Sequence, residues 1–379
     1  ARAASILGRE AEAEEPTAAL CGAVVEVALN PTSAPAESAV AAPMVRADFE
    51  VREICKTTAE VEVPDLVELP RKSFEKFLQK ECEAGEREVK GLEKLLREVF
   101  PVEIASGEKL EYEGYAVAEP EFCPRKCARF GRTYGGELEV RLRGSESGDA
   151  VAVKVGLFPL MTERGGFVIA GREKVVVGQL QATEGDGPND LAFRRLLLVG
   201  EQLEAVLTGP LKEDVERGEK VEAVRDFRLC GFADAIGRFF AGGGLVRPAE
   251  EGNPLSLLSQ LRAVVQQGVG RRPSFSTRDV HTSHFGRLCV LETTEGERIG
   301  INLNTALLAQ VDDEGRMLTP YRRTEDGKIE YLTAEDELEK VIADLGSGDG
   351  YRKRYNGKML GRNRGDIGRI EEDSAQYVP

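Results

Sequence analysis

A chain of 379 residues carrying a net charge of −15 is long enough for two or three domains. It is too acidic for a free-standing DNA-binding module, so contact with nucleic acid would have to come from local basic patches or a basic partner. A hydrophobic fraction of 41% with no apolar run near membrane-span length fits a soluble globular protein. The absence of tryptophan argues against a base-stacking or carbohydrate platform, and seven scattered cysteines fit a reducing cytosol rather than a disulfide framework.

The chain opens on Ala1, as a processed chain or a fragment would. Residues 1–45, rich in Ala, Glu, Pro and Ser, read as a disordered extension. Its early acids disfavour a transit peptide, and Glu26 interrupts the apolar section that a signal peptide needs. Order is expected from "FEVREICKTTAEVEVPDLVELPRKSFEKFLQ". There Leu66, Leu69, Phe74, Phe77 and Leu78 approach helical spacing and Pro70 suits a first turn. In "EREVKGLEKLLREVFP", Leu92, Leu95, Leu96 and Val99 share one helix face, ended by Pro101.

Three strand-like segments follow, "KLEYEGYAVAE", "GELEVRLRG" and "AVAVKVGLF", and "ERGGFVIAGREKVVVGQL" reads as a hairpin with Val175–Val177 buried in its second arm. After the link "ATEGDGPND", both "LAFRRLLLVGEQLEAVL" and "GFADAIGRFF" have helical spacing. A short helix between glycine loops, a compact β segment and the hairpin "DDEGRMLTPYRR", turning at Glu314–Gly315, come next. "YLTAEDELEKVIADLG" predicts a helix capped by Thr333 and stopped at Gly346. The one strongly basic tract, "YRKRYNGKMLGRNRGDIGR", is expected to be a solvated, flexible segment, with phosphate contact as a lesser alternative.

Both histidines, His281 and His284, fall in "HTSHFGR", with Cys289, Glu292 and Glu295 close behind. Spacing i, i+3 beside a cysteine suggests zinc. The surrounding glycine and β-branched residues predict turn and strand instead, where the two rings would point apart. No nucleophile stands beside either histidine, so a catalytic dyad is not indicated. Cys123 and Cys127 in "FCPRKCARF" are spaced wrongly for a zinc knuckle or a redox pair and read as loop or strand edge. "AGGGL" and "ERGGF" lack phosphate-loop spacing. No acidic triad that would grip magnesium is present. The residues alone therefore give an α+β multidomain protein with no catalytic residues and no metal site.

Several long motifs, however, stand in the order of one family. "VEVPDLVELPRKSFEKFL", "CARFGRTYGGELEVRL", "FPLMTERGGFVIAGREKVVVGQL", "FRRLLLVGEQL", "GNPLS" and "RDVHTSHFGRLCVLETTEGERIGINLN" resemble the beta subunit of bacterial-type multisubunit DNA-directed RNA polymerase. "YRKRYNGKML" is a weaker likeness. The resemblance implies a protrusion-like mixed α/β domain over residues 46–185, a fork-like helical and β domain over 186–345, and a basic segment over 346–379. It implies transcription as a nucleotidyltransferase subunit, with no activity from this chain alone. Arg278, Arg287, Glu292, Glu295 and Arg298 would line the nucleic-acid cleft, the arginines on phosphate or an interface and the glutamates fixing loops. Asp279, His281 and His284 would form a structural hydrogen-bonding network. Asn253, Pro254, Leu255, Ser256, Gln260 and Arg262 would sit in the rifamycin-pocket-like region.

The same resemblance implies that this chain binds no cofactor, the catalytic Mg2+ belonging to the beta-prime partner. The other implied partners are alpha, the rest of beta, and DNA and RNA, in the cytoplasm (or a plastid) and away from membranes. The sequence departs from the family in three ways. "VVVGQLQATEGDGPND" passes straight to "FRRLLLVGEQL", where the family inserts a lobe domain. Gln260 and Ala263 replace a usual histidine and arginine, with a shortened loop after them, so weak or no rifamycin affinity is expected. The chain also stops before the hybrid-binding half. The expected function is a truncated or split beta subunit forming part of the cleft wall and fork. The alternatives are a non-catalytic paralogue that docks on polymerase as a regulator, or a gene fragment without function.

Overall fold

The computed structural model describes residues 64–378 apart from 84, 146–147, 149, 184–188, 243, 251, 271–272, 344–357, 364 and 372–374. The expected extension over residues 1–45, most of the link "ATEGDGPND" and the expected stop at Gly346 lie outside the described residues. Helices α1 (Glu68–Leu78) and α2 (Gly91–Val99) form where the apolar spacing predicts them, and Phe77, Leu78, Leu92, Leu95 and Leu96 are at most 2% exposed. Strands β1 (Val102–Glu103) and β2 (Lys109–Val117) lead to α3 (Pro124–Arg129) and then to β3 (Gly135–Gly144) and β4 (Ala150–Pro159). The four strands make an antiparallel sheet in chain order. Cys123 and Cys127 belong to α3 and its N-terminal boundary rather than to a loop or strand edge. Pro124 starts that helix because its missing N–H is needless there.

The expected hairpin is β5 (Phe167–Ile169) with β6 (Arg172–Val176), paired Phe167↔Lys174 and Ile169↔Arg172. Strand β7 (Gly178–Ala182) continues from it. The next segment corrects an expectation, because Arg194–Leu197 in "FRRLLLV" is a strand, β8, antiparallel to β7 with Gln179 opposite Leu197. A short apolar run has no period of its own, so the ladder partner decides its conformation. Helical spacing takes over in α4 (Val199–Gly218), which buries Leu203, Leu207 and Leu211, and in α5 (Cys230–Ala241). Ser73 of α1 ties the two helix layers together. Its Oγ accepts from the Gly200 N–H at 2.8 Å and donates to Glu201 Oε2 at 2.8 Å. A Cβ on Gly200 would lie 2.4 Å from the Ser73 carbonyl oxygen, so only glycine permits this approach.

Strand β9 (Val246–Pro248) returns to pair with β6. Helix α6 (Pro254–Arg262) is followed by β10 (Ala263–Gln266), a strand parallel to β7 with Val264 opposite Gly178. The expected loop over "VVQQG" therefore begins as a buried strand. Past α7 (Phe275–Arg278), strands β11 (Leu288–Thr293) and β12 (Asn302–Thr305) complete a five-stranded sheet ordered β11-β12-β10-β7-β8. Strands β13 (Gln310–Val311) and β14 (Met317–Arg323) form the predicted hairpin, and β15 (Ile329–Thr333) pairs with β14. Thr333 caps helix α8 (Ala334–Glu337) as predicted, its Oγ1 accepting from the Asp336 N–H at 3.1 Å. That helix is a single turn rather than a long one, and Val341–Ala343 is strand β16. From Lys358 the basic tract contributes a hairpin, β17 (Lys358–Asn363) with β18 (Asp366–Glu371), paired to β16, instead of a flexible segment, and its residues 351–357 lie outside the described residues. Strand β19 (Tyr377–Val378) closes the last sheet between β14 and β16.

The larger core runs from Phe74 to Val246, with α1, α2, α4 and α5 laid on the first sheet. Its centre is aromatic. Phe167 lies 5.2 Å from Phe74 and 4.8 Å from Phe240 between ring centroids, and each such burial contributes roughly 1.5–3 kcal/mol. This core crosses residue 185, where the sequence suggested a domain boundary, and β7 before that point pairs with β8 and β10 after it. No helix among the described residues is long and apolar enough to cross a membrane.

Candidate functional site

The histidine segment folds as a 3-10 turn, Thr282–His284, rather than extended chain, so the two rings are 6.5 Å apart between centroids instead of on opposite faces. His281 Nδ1 accepts from the Ser283 N–H at 3.3 Å and lies 2.9 Å from Ser283 Oγ. His284 is 4% exposed and its Nε2 lies 2.8 Å from the Asn189 carbonyl oxygen. A carbonyl only accepts, so this nitrogen carries the proton. Burial, against a small opposing pull from that carbonyl, lowers the His284 pKa to about 4. The ring is therefore a neutral donor near pH 7 and its Nε2 is already engaged. Among the described residues no three His, Cys, Asp or Glu side chains stand close enough to hold a metal.

Asn189 is the residue that sequence reasoning missed. It sits in the Gly-, Asp- and Pro-rich link, where polar residues read as solvated, yet it is 7% exposed. Its Nδ2 donates to the carbonyls of Ser276 and Asp279, both at 2.7 Å, and fixes the backbone of "SFSTRD". Asp279 itself is exposed and contributes its carbonyl to the network more than its carboxylate, which accepts from the Val280 N–H. Asn189→Ala would strip both carbonyls of their donor at a cost of about 1–3 kcal/mol. Amide hydrogen exchange across residues 275–281 should accelerate in that variant, and unchanged protection would show that the bonds do not hold the loop.

Arg287 requires the clearest correction. Expected on phosphate or an interface, it is 0% exposed and fully engaged inside the protein. Its Nε donates to the Met317 carbonyl at 2.8 Å, and its Nη1 and Nη2 donate to Ser283 at 3.1 Å and Leu332 at 2.6 Å. Glu337 Oε1 lies 2.8 Å from Nη1. Glu337 in turn accepts from the Tyr321 hydroxyl at 2.7 Å and from Arg362 of β17 at 2.5 Å. Burial first, then the Glu337 charge, pushes the Tyr321 hydroxyl up to about 12, so it stays protonated as donor. The arginine thus joins the histidine turn to β14, β15, α8 and the basic hairpin.

The remaining expected residues separate into two groups. On α6, Asn253 caps the helix by accepting from the Leu255 N–H at 2.9 Å, Pro254 occupies its first turn, Leu255 is 72% exposed and Ser256 is half-buried. Gln260 and Arg262 are committed internally. Gln260 accepts from the Glu250 N–H at 3.0 Å, and Arg262 donates to the Thr305 carbonyl and pairs with Glu292 at 3.5 Å. Glu292 also accepts from Ser259 Oγ at 3.0 Å. Glu295 and Arg298 are exposed at either end of the 3-10 turn Gly296–Arg298.

Arg278, Asp279 and His284 come together around a cleft of about 290 Å³ with Phe275, Val280 and Cys289 on its wall. Its far side is held by Thr293, whose Oγ1 accepts from the Gly300 N–H at 2.9 Å and donates to the Asn302 carbonyl at 2.8 Å. Gly300, at φ +73°, brings its backbone against Arg278, and a Cβ there would lie 2.4 Å from the Arg278 carbonyl oxygen. The arrangement has no nucleophile paired with a base. It presents a braced wall with a half-buried guanidinium at Arg278 and an apolar rim, a geometry suited to holding an anion or a partner surface.

Residues 248–311 match the family described as RNA polymerase Rpb2, domain 3. The DNA-directed RNA polymerase subunit beta of Phytoplasma australiense is 36% identical over 218 residues, which cover 51% of this chain and 17% of that protein. The corresponding subunit of Streptomyces avermitilis is 33% identical over 214 residues, 52% of this chain and 18% of its own length. That of Aquifex aeolicus is 35% identical over 152 residues, 38% and 10% respectively. The chain thus spans less than a fifth of the length of these relatives.

Proposed function

We propose that the chain, which is similar to the beta subunits of DNA-directed RNA polymerase over the region it shares with them, forms part of the cleft wall and fork of an assembled polymerase. In this reading its contribution to template-directed RNA synthesis is to position nucleic acid, with Arg278 and Arg298 facing phosphate beside the cleft. The catalytic Mg2+ would be held by the beta-prime partner. Alpha and the rest of beta would complete the assembly around DNA and RNA in the cytoplasm.

One observation carries the proposal. The cleft around Arg278 is braced by the hydrogen bonds of Asn189 and Thr293, and its lining leaves Phe275 84%, Val280 50% and Ile299 48% exposed. A rim this apolar beside the half-buried Arg278 guanidinium supports reading it as a subunit surface that a complex would cover. A second reading has its own support. Strands β7 and β8 pair directly, Ala182 opposite Arg194, and Thr183 N–H donates to the Phe193 carbonyl at 3.0 Å, so that only residues 183–193 separate the two strands where the resemblance implies a lobe. A non-catalytic paralogue that docks on polymerase as a regulator would keep such a reduced scaffold.

A tagged pull-down from the native host, with mass spectrometry and a promoter-independent transcription assay on the eluate, separates the two. Recovery of beta-prime, alpha and the remaining portion of beta, with RNA synthesis, is the expected result. Recovery alongside a full-length beta would favour the regulator, and absence of every polymerase subunit would overturn both readings.

A further inference from the structure

We propose that the surface formed by α3 and the β5–β6 turn binds single-stranded nucleic acid, as a site separate from the cleft around Arg278. The segment "FCPRKCARFGR" is anchored from below. Cys127 is 3% exposed and its thiol lies 3.7 Å from the Phe122 carbonyl oxygen. With Cys127 turned inward, Arg125, Lys126 and Arg129 are exposed, and Arg132 follows within one further turn's length. The β5–β6 turn docks against this segment, its Gly171 N–H donating to the Arg132 carbonyl at 2.9 Å and its Ala170 N–H to Thr133 Oγ1 at 3.0 Å. A Cβ on Gly171 would lie 2.6 Å from Gly131 Cα, so the two turns are in direct contact. That docking brings the exposed Arg172 beside the others.

The charges on this surface are largely uncompensated. Arg132 has Glu121 at 3.6 Å, with both side chains well exposed. Among the described residues no carboxylate pairs with Arg125, Lys126, Arg129 or Arg172. Five cations with Glu121 as the one acid in ion-pair reach among the described residues form a local positive patch on a chain of net charge −15, and such a patch draws a polyanion.

Aromatic rings decide which polyanion. Phe130 is 61% exposed, with the Arg129 guanidinium 5.9 Å from its ring centroid, and Arg132 lies 4.7 Å over the Phe122 ring. Guanidinium forks suit phosphate oxygens, and an uncovered ring face among them suits an unpaired base. An acidic polypeptide would use the cations and leave the ring idle. A duplex would keep its bases out of the ring's reach.

The test is fluorescence anisotropy with the full chain and a labelled oligothymidylate across a salt series. Binding should appear by about 50 mM salt, and the triple variant R125E/K126E/R129E should lose at least about tenfold in affinity, with a log–log salt slope smaller by about 2. Phe130→Ala should weaken binding about tenfold with the slope unchanged. The milder R125Q/R129Q variant, with circular dichroism like the wild type, guards against a folding defect and should still reduce the slope. Absence of binding by the wild type, or equal binding by the charge variants, overturns the proposal. So does equal competition by polyglutamate with no effect of Phe130→Ala, which would assign the patch to acidic polypeptides.

Discussion

Replacing Arg287 with methionine should destabilise the protein by about 3–5 kcal/mol, because removing one partner of a buried, hydrogen-bonded ion pair leaves the other without compensation. The volume is roughly kept, so the loss is electrostatic rather than a cavity. The carbonyls of Met317, Ser283 and Leu332 lose their donors together. Glu337 keeps Tyr321 and Arg362, which places the effect within that range instead of beyond it. A urea titration reads the change as a lower midpoint at constant slope. Arg298→Met is the matched exposed substitution and should stay within about 0.5 kcal/mol. A shift below about 1 kcal/mol for Arg287→Met would mean that the guanidinium is hydrated in solution. Adding Glu337→Gln to Arg287→Met should cost less than the sum of the two separate changes, since both belong to one network.

Acid should act on His284 in the same region. Its pKa falls from the ordinary 6.5 to about 4 in the folded protein, mainly through burial. The unfolded chain therefore takes up the proton first as pH drops. The neutral ring's contribution is complete above pH 6.5 and is lost progressively between 6.5 and about 4. Across that window the loss amounts to roughly 3 kcal/mol. Carboxylates titrate over part of the same range, so the informative quantity is the difference between wild type and His284→Gln, whose amide can still donate to the Asn189 carbonyl. The wild type should lose more stability than the variant between pH 7 and 4. Parallel curves would show that the imidazole is protonated without penalty and hence accessible to water.

How far the sequence could be read depended on how local the determinants were. Helices α1, α2 and α5 and the Glu314–Gly315 turn were legible because the period or turn chemistry lies within the segment itself. Strands β8, β10 and β16 were not. "RRLL", "AVVQ" and "VIA" are short runs attached to helical-looking neighbours, and each becomes a strand by pairing outside its own segment, as "RRLL" does with β7, "VIA" with β17 and Val264 with Gly178. The motif around His281 was read, through the resemblance, as a structural network. It left unseen Asn189, 95 residues before His284, which fixes that network. Arg287 was misplaced for a related reason. A charged residue in a turn reads as solvated, and all the acceptors that bury it except Ser283 come from strands and a helix further along the chain. The polar residues on α6 were grouped through the resemblance as a rifamycin-pocket-like region, and their period gave no sign that Gln260 and Arg262 are turned toward protein partners.

The spread of those acceptors has a consequence for how the chain is made. The larger core draws only on residues up to Val246 and can close while later segments are still being synthesised. Arg287 emerges afterwards and must wait through 30 further residues for the Met317 carbonyl and 45 for that of Leu332. At about 5–20 residues per second the second interval lasts roughly 2–9 s. During it the Arg287 guanidinium has not yet met the carbonyls that β14 and β15 supply. A nascent chain paused in this window on the ribosome would be the form most exposed to chaperones and proteases, even though its first core is already folded.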